Sequence, residues 1–254
     1  MRSRRLDLTS SKQEQHVIEP KFPPPASLEN VDWTHYDFLD LGCSGGDSIP
    51  YCERRFGARR GLGVDNNPAK VAKARAAGLH AVLGDGTRLD EAPGLADGIR
   101  VRFVSMIHFL EHLPNARTAE MVVRSAARVA TDFIFIRHPS FEGEAYLAQL
   151  GLRQYWWHWT GHLNHLRVSD YCDMFDRLGL HQYLIRYQEP FWDSENRTIL
   201  TMDEAKDQHN FDPALHHIRP KLKFAEPIWR EQEIFVPIRA FDPEEWSAIT
   251  KVSA

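Results

Sequence analysis

The sequence has few cysteines, no long apolar run and no excess of basic residues, and each absence narrows the possible functions. Its three cysteines cannot build a disulfide framework and none form a CxxC pair, so we expect a reducing, cytoplasmic location. The longest stretch free of Asp, Glu, Lys and Arg, residues 154–166, has 13 residues, three of them histidines. A bilayer span needs about 20 apolar residues, so no membrane span is predicted.

The charge balance argues against a nucleic-acid partner. The chain carries 31 Lys and Arg against 35 Asp and Glu, a formal net charge of −4. Nucleic-acid-binding domains instead carry a basic surface. With 254 residues, 43% of them hydrophobic, the chain can bury a sizeable core without disulfides or metal. Its length fits one large domain, or one domain with an appendage.

Short apolar segments alternate with amphipathic ones from residue 36 onward. The predicted strands are 36–41, 60–64, 80–83, 101–107 and 133–136, and the helices between them are 47–56, 68–77 and 116–130. This alternation predicts an α/β fold, a parallel sheet with helices on both faces. Less regular elements follow, with helices at 141–150 and 169–178 and strands at 181–186, 197–201 and 232–238. The predicted organisation is an arm or lid at 1–35, a core at 36–202 and a C-terminal appendage at 203–254.

A glycine-rich loop follows the first predicted strand, in the sequence FLDLGCSGGD of residues 38–47. Open α/β sheets bind nucleotides at this position. The dinucleotide pattern GxGxxG fails here, because Ser44 and Asp47 occupy two of its glycine positions. Asp47 would also repel a pyrophosphate, and the loop lacks the lysine of a P-loop. An acidic strand end beside a glycine-rich loop therefore favours a nucleotide-like ligand without phosphates.

Four motifs resemble those of the class I S-adenosylmethionine-dependent methyltransferases, in the family's order. Asp40-x-Gly42-x-Ser44-x-Gly46 resembles the first motif, (D/E)xGxGxG, with Ser44 in place of its middle glycine. Three further segments resemble the family's second, third and fourth motifs. They are, in that order, GLGVD at 61–65, AVLGDG at 81–86 and FVSMIHFLEHL at 103–113. FIFI at 133–136 fits the fifth strand, and HLNHL at 162–166 resembles the stretch before a late helix. The resemblance covers roughly residues 36–201.

The resemblance implies a Rossmann-like, mostly parallel seven-stranded sheet, here with a C-terminal accessory segment. It also implies S-adenosylmethionine as the cofactor and S-adenosylhomocysteine as the product. The carboxylate of Asp65 would accept hydrogen bonds from the ribose hydroxyls, and that of Asp85 would accept one from the adenine amino group. Met106 could equally contact the cofactor or pack in the core. The implied cofactor-binding residues are Asp40, Gly42, Cys43, Ser44, Gly46, Asp65, Asn66, Asp85, Gly86 and Met106.

Four histidines, His108, His112, His162 and His165, are candidates for the catalytic base, and the first three are predicted to be catalytic. Methyl transfer to a hydroxyl benefits from removal of its proton, and a histidine pKa suits that task near neutrality. His108 is the first choice because it follows the fourth strand, with His162 and His112 next. The expected acceptor is a hydroxyl of a sugar or another small metabolite, so the partner is a small molecule or a glycan. The sequence does not indicate an oligomeric state.

Two other functions remain open at this point. The segment His108–His112 has the pattern HxxEH, which binds zinc in some hydrolases when it lies on a helix. Some methyltransferases of quinone precursors use a divalent metal with two acids and a histidine at this spacing, but His108 replaces the first acid. No metal ligand is therefore assigned. The other alternative is a catalytically silent protein that binds the cofactor or a partner.

Overall fold

A computed structural model describes residues 22–251 of the chain. The strands are β1 (Phe38–Leu41), β2 (Gly61–Asp65), β3 (Ala81–Leu83), β4 (Val101–Ile107), β5 (Ala130–Pro139), β6 (Leu152–Gln154), β7 (Leu184–Asp193), β8 (Ile199–Thr201) and β9 (Lys223–Pro237). The helices are α1 (Ser48–Phe56), α2 (Pro68–Ala76), α3 (Ala116–Val129), α4 (Glu144–Gln149), α5 (Val168–Leu178) and α6 (Pro243–Thr250). Within this described part, no helix is both long and apolar enough to cross a membrane.

Seven strands form one sheet in the order β3-β2-β1-β4-β5-β9-β7. The first five of these pair in parallel, and β9 pairs antiparallel with both β5 and β7. The predicted mostly parallel seven-stranded sheet is therefore confirmed. The predicted strand at 197–201 instead pairs with β6, as β8, in a separate two-stranded sheet.

Successive residues of the central strands point into two different hydrophobic clusters. Phe38 and Phe103 pack with α1 and α2 on one face, whereas Leu39 and Val104 pack with α3 and α5 on the other. This alternation follows from the two-residue period of a strand. Both faces of the sheet are thus covered by helices, and access to the sheet is left at the ends of its strands.

The C-terminal segment is part of the main sheet. Strand β9 pairs with β5 from Phe133–Pro237 to Pro139–Glu231 and lies between β5 and β7. The boundary predicted at residue 202 is therefore wrong for residues 223–237, which complete the sheet rather than append to it. Periodicity does not reveal this, because the pairing joins strands about 100 residues apart in the chain.

The predicted N-terminal arm is described only from residue 22, and residues 1–21 lie outside the described part. Two short 3₁₀ helices, Leu28–Asn30 and Trp33–His35, lead into β1. Trp33 is buried in the core and its indole Nε1 donates to the carbonyl of Pro93 at 2.7 Å. The last residues of the predicted arm therefore pack as core.

Candidate functional site

A cleft of about 480 Å³ opens at the carboxyl ends of β1, β2, β3 and β4. Open parallel sheets bind ligands at this edge, because the loops there leave a crevice where the strand order reverses. Seven of the ten residues predicted to bind a cofactor line the cleft: Gly42, Cys43, Ser44, Asp65, Asn66, Asp85 and Gly86. The topology thus brings together residues from three separate motifs.

Glycine is required at the start of the loop after β1. Gly42 has φ +72°, and a Cβ there would lie 2.4 Å from Cδ2 of Phe109. Its amide donates to the carbonyl of Val64 at 2.8 Å, which fixes the loop against β2. Gly46 has φ +93° and a Cβ there would lie 2.5 Å from Leu79. Gly46 does not line the cleft, so its place is in packing the loop against the elements behind it.

Asp65 holds the glycine-rich loop and the start of α2 together. Its Oδ2 accepts from the amide of Ser44 at 2.9 Å and its Oδ1 from the amide of Asn67 at 2.8 Å. Asp85 is exposed in the same cleft, where its Oδ1 accepts from the amide and hydroxyl of Thr87. Two carboxylates from neighbouring strands are therefore fixed at the cleft wall by local backbone.

Asp40 and Met106 do not line the cleft, although the first and fourth motifs assigned them to the cofactor. Asp40 is 1% exposed, and its carboxylate accepts from the hydroxyls of Ser48 and Ser105. Burial raises the pKa of Asp40 to about 6, against the opposing effect of these hydrogen bonds. Met106 is fully buried in the core cluster. Both residues support the loop from behind, because they lie inside the strands rather than at their ends.

A second cavity, of about 390 Å³, adjoins the first. His108 and His112 line both cavities and form the wall between them. The other residues lining the second cavity are Glu111, Pro139, Tyr155, Trp156, Trp159, His162, Arg230 and Glu231. All three predicted catalytic histidines therefore lie around this one space.

His108 is held between two carboxylates. Its Nδ1 lies 3.3 Å from Oε1 of Glu111 and its Nε2 lies 3.1 Å from Oε1 of Glu231. Partial desolvation of the ring, whose side chain is still 41% exposed, disfavours the charged imidazole, but the two carboxylates outweigh it and raise the pKa of His108 to about 9. An imidazolium that offers both N–H groups to carboxylates has no lone pair near neutrality. The geometry therefore argues against the base role that the sequence gives His108.

His112 and His162 have the opposite arrangement. The Nδ1 of His112 donates to the carbonyl of Gly161 at 2.9 Å, and the Nδ1 of His162 donates to the carbonyl of Trp156 at 2.9 Å. A carbonyl only accepts, so Nδ1 carries the hydrogen and Nε2 keeps its lone pair in the neutral ring. Burial also lowers the pKa of His162. Both rings are therefore acceptors beside the second cavity.

The local backbone excludes the HxxEH hydrolase reading. That pattern needs both histidines on one face of an α-helix. Here His108 has φ +50°, and only the three residues Leu110–His112 form a 3₁₀ helix. The two histidines do not share a helical face, because a strand and a turn lead into this segment.

Several lining residues carry no signal in the sequence. Lys70 and Lys73 reach the first cleft from α2, and Phe109 and Leu113 enter it from the loop after β4. Glu231 comes from β9, in the segment predicted to be an appendage. A charged residue on a helix or in a C-terminal segment is ordinarily a solvated surface group. Only the sheet order shows that these face a site.

Comparison with known proteins yields a short match in sequence. No protein-family model matches the chain. A 50-residue stretch, 20% of this chain, is 44% identical to part of the trans-aconitate 2-methyltransferase of Escherichia coli O157:H7. That stretch is 18% of the relative, so this chain matches about a fifth of the curated relative's length.

Comparison with solved structures covers far more of the chain. A S-adenosylmethionine-dependent methyltransferase from Archaeoglobus fulgidus superposes with a TM-score of 0.54 at 16% identity, over 80% of this chain and 86% of that one. A protein from Bacillus halodurans C-125 described as a candidate methyltransferase gives a TM-score of 0.50 at 16% identity, over 80% of this chain and 92% of that one. At such identities the likeness establishes the fold.

Proposed function

We propose that this chain, which has the fold of the class I S-adenosylmethionine-dependent methyltransferases, binds S-adenosylmethionine in the first cleft. It transfers the methyl group to a hydroxyl of a sugar or another small metabolite in the second cavity, and S-adenosylhomocysteine is the other product. The observation that carries this proposal is the pair of adjoining cavities, of which the first is at the nucleotide-binding edge of the sheet.

The residues of the first cleft suit a nucleoside without phosphates. Its volume lies within the usual range for a ligand site, roughly 300–1,000 Å³. Asp65 presents a fixed carboxylate to the ribose hydroxyls, and the absence of a Cβ at Gly42 lets Phe109 close on the loop. Lys70 and Lys73 provide positive charge for the amino-acid carboxylate. When bound, the cofactor supplies an electrophilic methyl carbon on a sulfonium.

The second cavity suits a ring-bearing acceptor with polar substituents. Trp156, Trp159 and Tyr155 form its apolar wall, and the ring of Trp159 stacks on His162 with 5.6 Å between centroids. Aromatic walls bind the apolar face of a sugar or a flat ring, and the polar groups opposite them orient its hydroxyls. The protein's contribution to the transfer is to align the acceptor oxygen with the methyl carbon and to help remove its proton.

A transfer assay tests the proposal. Purified protein with radiolabelled S-adenosylmethionine is offered a panel of sugars, phenols, amines and carboxylic acids. We expect label in a hydroxyl acceptor as an ether that resists base, and a marked loss of turnover in Trp159→Ala. A base-labile methyl ester would contradict the hydroxyl acceptor. Binding of S-adenosylhomocysteine without any transfer would instead favour a catalytically silent binding protein.

A further inference from the structure

Three potential metal ligands converge in the second cavity. Glu111, His112 and His162 each place one ligand atom within 4.8 Å of the other two. Within residues 22–251, no other group of three such side chains meets this condition. Glu111 and His112 are adjacent in the chain, whereas His162 comes from a loop 50 residues later, so the cluster depends on the tertiary fold.

One oxygen of the buried Glu111 carboxylate faces no hydrogen-bond donor among the described residues. Glu111 is 0% exposed, and neither oxygen has a well-formed hydrogen bond among the described residues. Nδ1 of His108 lies 3.3 Å from Oε1. Oε2 faces Nε2 of His138 at 3.9 Å, and the other nitrogen of that ring donates to the carbonyl of Pro139. At Oε2 two acceptors therefore face each other, which costs free energy. The His108 imidazolium lies beside Oε1, so a second cation near Oε2 would relieve this arrangement.

The two histidines are oriented as metal ligands usually are. A ligating histidine typically donates its second N–H to a backbone carbonyl or a carboxylate, which fixes the ring and its tautomer. His112 and His162 each do this, through Gly161 and Trp156. Each ring thus keeps Nε2 as the atom able to bind a metal.

We propose that Glu111, His112 and His162 bind one divalent transition-metal ion, such as Zn²⁺, whose open coordination position takes an oxygen of the acceptor. Two imidazoles and one carboxylate favour Zn²⁺, Mn²⁺ or Fe²⁺ over Mg²⁺ and Ca²⁺, which prefer oxygen ligands. Three protein ligands leave a position open, as in catalytic zinc sites. The sequence assigned no metal ligand because nothing in it places His162 beside Glu111.

The acceptor part of this inference rests on the proposed methyltransferase function. A hydroxyl oxygen bound to the ion has a lowered pKa, so it loses its proton to water at neutral pH. The oxygen then forms a bond to the methyl carbon as the carbon–sulfur bond breaks, and sulfur keeps the electron pair. His112 and His162 act in this case as metal ligands rather than as bases, and the acceptor class narrows to oxygen donors able to reach the ion.

Cobalt binding tests the site independently of turnover. Chelator-treated full-length protein is titrated with Co²⁺, and the visible absorption of bound cobalt is followed. We expect the wild type to bind one ion per chain. The dissociation constant for Co²⁺ should be at least ~10-fold higher in His112→Ala and in His162→Ala. His165→Ala is the matched control, because His165 lies in the same loop but stacks on Phe141 and pairs with Glu144. Its affinity should equal that of the wild type.

The contrary results are equally specific. Absence of a cobalt band in the wild type, or an affinity unchanged in both His112→Ala and His162→Ala, would overturn the metal site. His112 is exposed, so His112→Ala is expected to fold normally. It therefore still tests the site if His162→Ala fails to fold. S-adenosylhomocysteine binding is measured by calorimetry on the same preparations. Cofactor binding without cobalt binding contradicts only the metal, and cobalt binding without cofactor binding contradicts only the methyltransferase function.

Discussion

Gly42 has no side chain, and this permits the conformation of the loop after β1. We predict that Gly42→Ala lowers the affinity for S-adenosylhomocysteine at least ~10-fold, because its Cβ would lie 2.4 Å from the Phe109 ring that lines the cleft. Calorimetric titration measures the effect.

Gly57 provides the matched control for that substitution. It also has a positive φ, +59°, but nothing lies within 4 Å of its Cβ position. Gly57→Ala should cost roughly 1–2 kcal/mol of backbone strain and leave the affinity unchanged. Equal loss of affinity in both variants would show that strain, and not the contact with Phe109, is responsible.

The raised pKa of Asp40 predicts that the free energy of unfolding depends on pH. Burial raises its pKa from 3.8 to about 6 in the folded protein. The folded state therefore keeps the proton that the unfolded state releases. The stabilisation that results is complete below about pH 4 and is lost between about pH 4 and 6. The free energy of unfolding of Asp40→Asn, relative to the wild type, should rise by about 3 kcal/mol across that window.

Urea unfolding at a series of pH values measures this difference. Other buried or paired acids contribute equally to both proteins, so they cancel in the comparison. A difference between Asp40→Asn and the wild type that stays constant from pH 4 to 7 would show that Asp40 titrates normally.

Among the elements, β9 decides how the sheet is completed. Its Glu233 is buried and accepts from Nη2 of Arg55 on α1 at 3.0 Å and from Nη2 of Arg186 on β7 at 2.9 Å. We predict that Glu233→Ala lowers the free energy of unfolding by about 3–5 kcal/mol, because it removes the carboxylate shared by two guanidinium groups.

An exposed ion pair is the control for Glu233. Glu91 pairs with Arg88 and both are exposed, so Glu91→Ala should change stability by roughly 0–1 kcal/mol. Denaturant unfolding compares the two variants. If Glu233→Ala is as mild as Glu91→Ala, β9 does not anchor α1 and β7 through this contact.

The elements also show what could be predicted from the sequence. Strands β1 to β5 follow local apolar runs, and those of β1 to β3 end in acids and glycines. Asp65 and Asp85 were therefore found. The position of β9 and the pairing of Glu231 with His108 depend on contacts between segments that lie about 90 to 120 residues apart in the chain. Those contacts change a predicted base into a charged group, which no local pattern indicates.

Across the whole molecule, one edge of the sheet joins the first cleft to the second cavity. Seven of the predicted cofactor residues line the first, and the three predicted catalytic histidines surround the second. We propose that the first cleft binds S-adenosylmethionine, with Asp65 holding both the loop and the ribose. The methyl transfer proposed for the second cavity depends on this binding.

The most direct test is calorimetric titration of S-adenosylhomocysteine into the wild type, Asp65→Ala and Asp90→Ala. Asp90 lies outside the cleft, where it accepts from the hydroxyl of Ser125 at 2.7 Å. We predict binding of one molecule per chain, unchanged in Asp90→Ala and weakened at least ~10-fold in Asp65→Ala, since hydrogen bonds to a charged group contribute about 1.5–3 kcal/mol. No binding to the wild type, or equal affinity in Asp65→Ala, would contradict the assignment of the cleft.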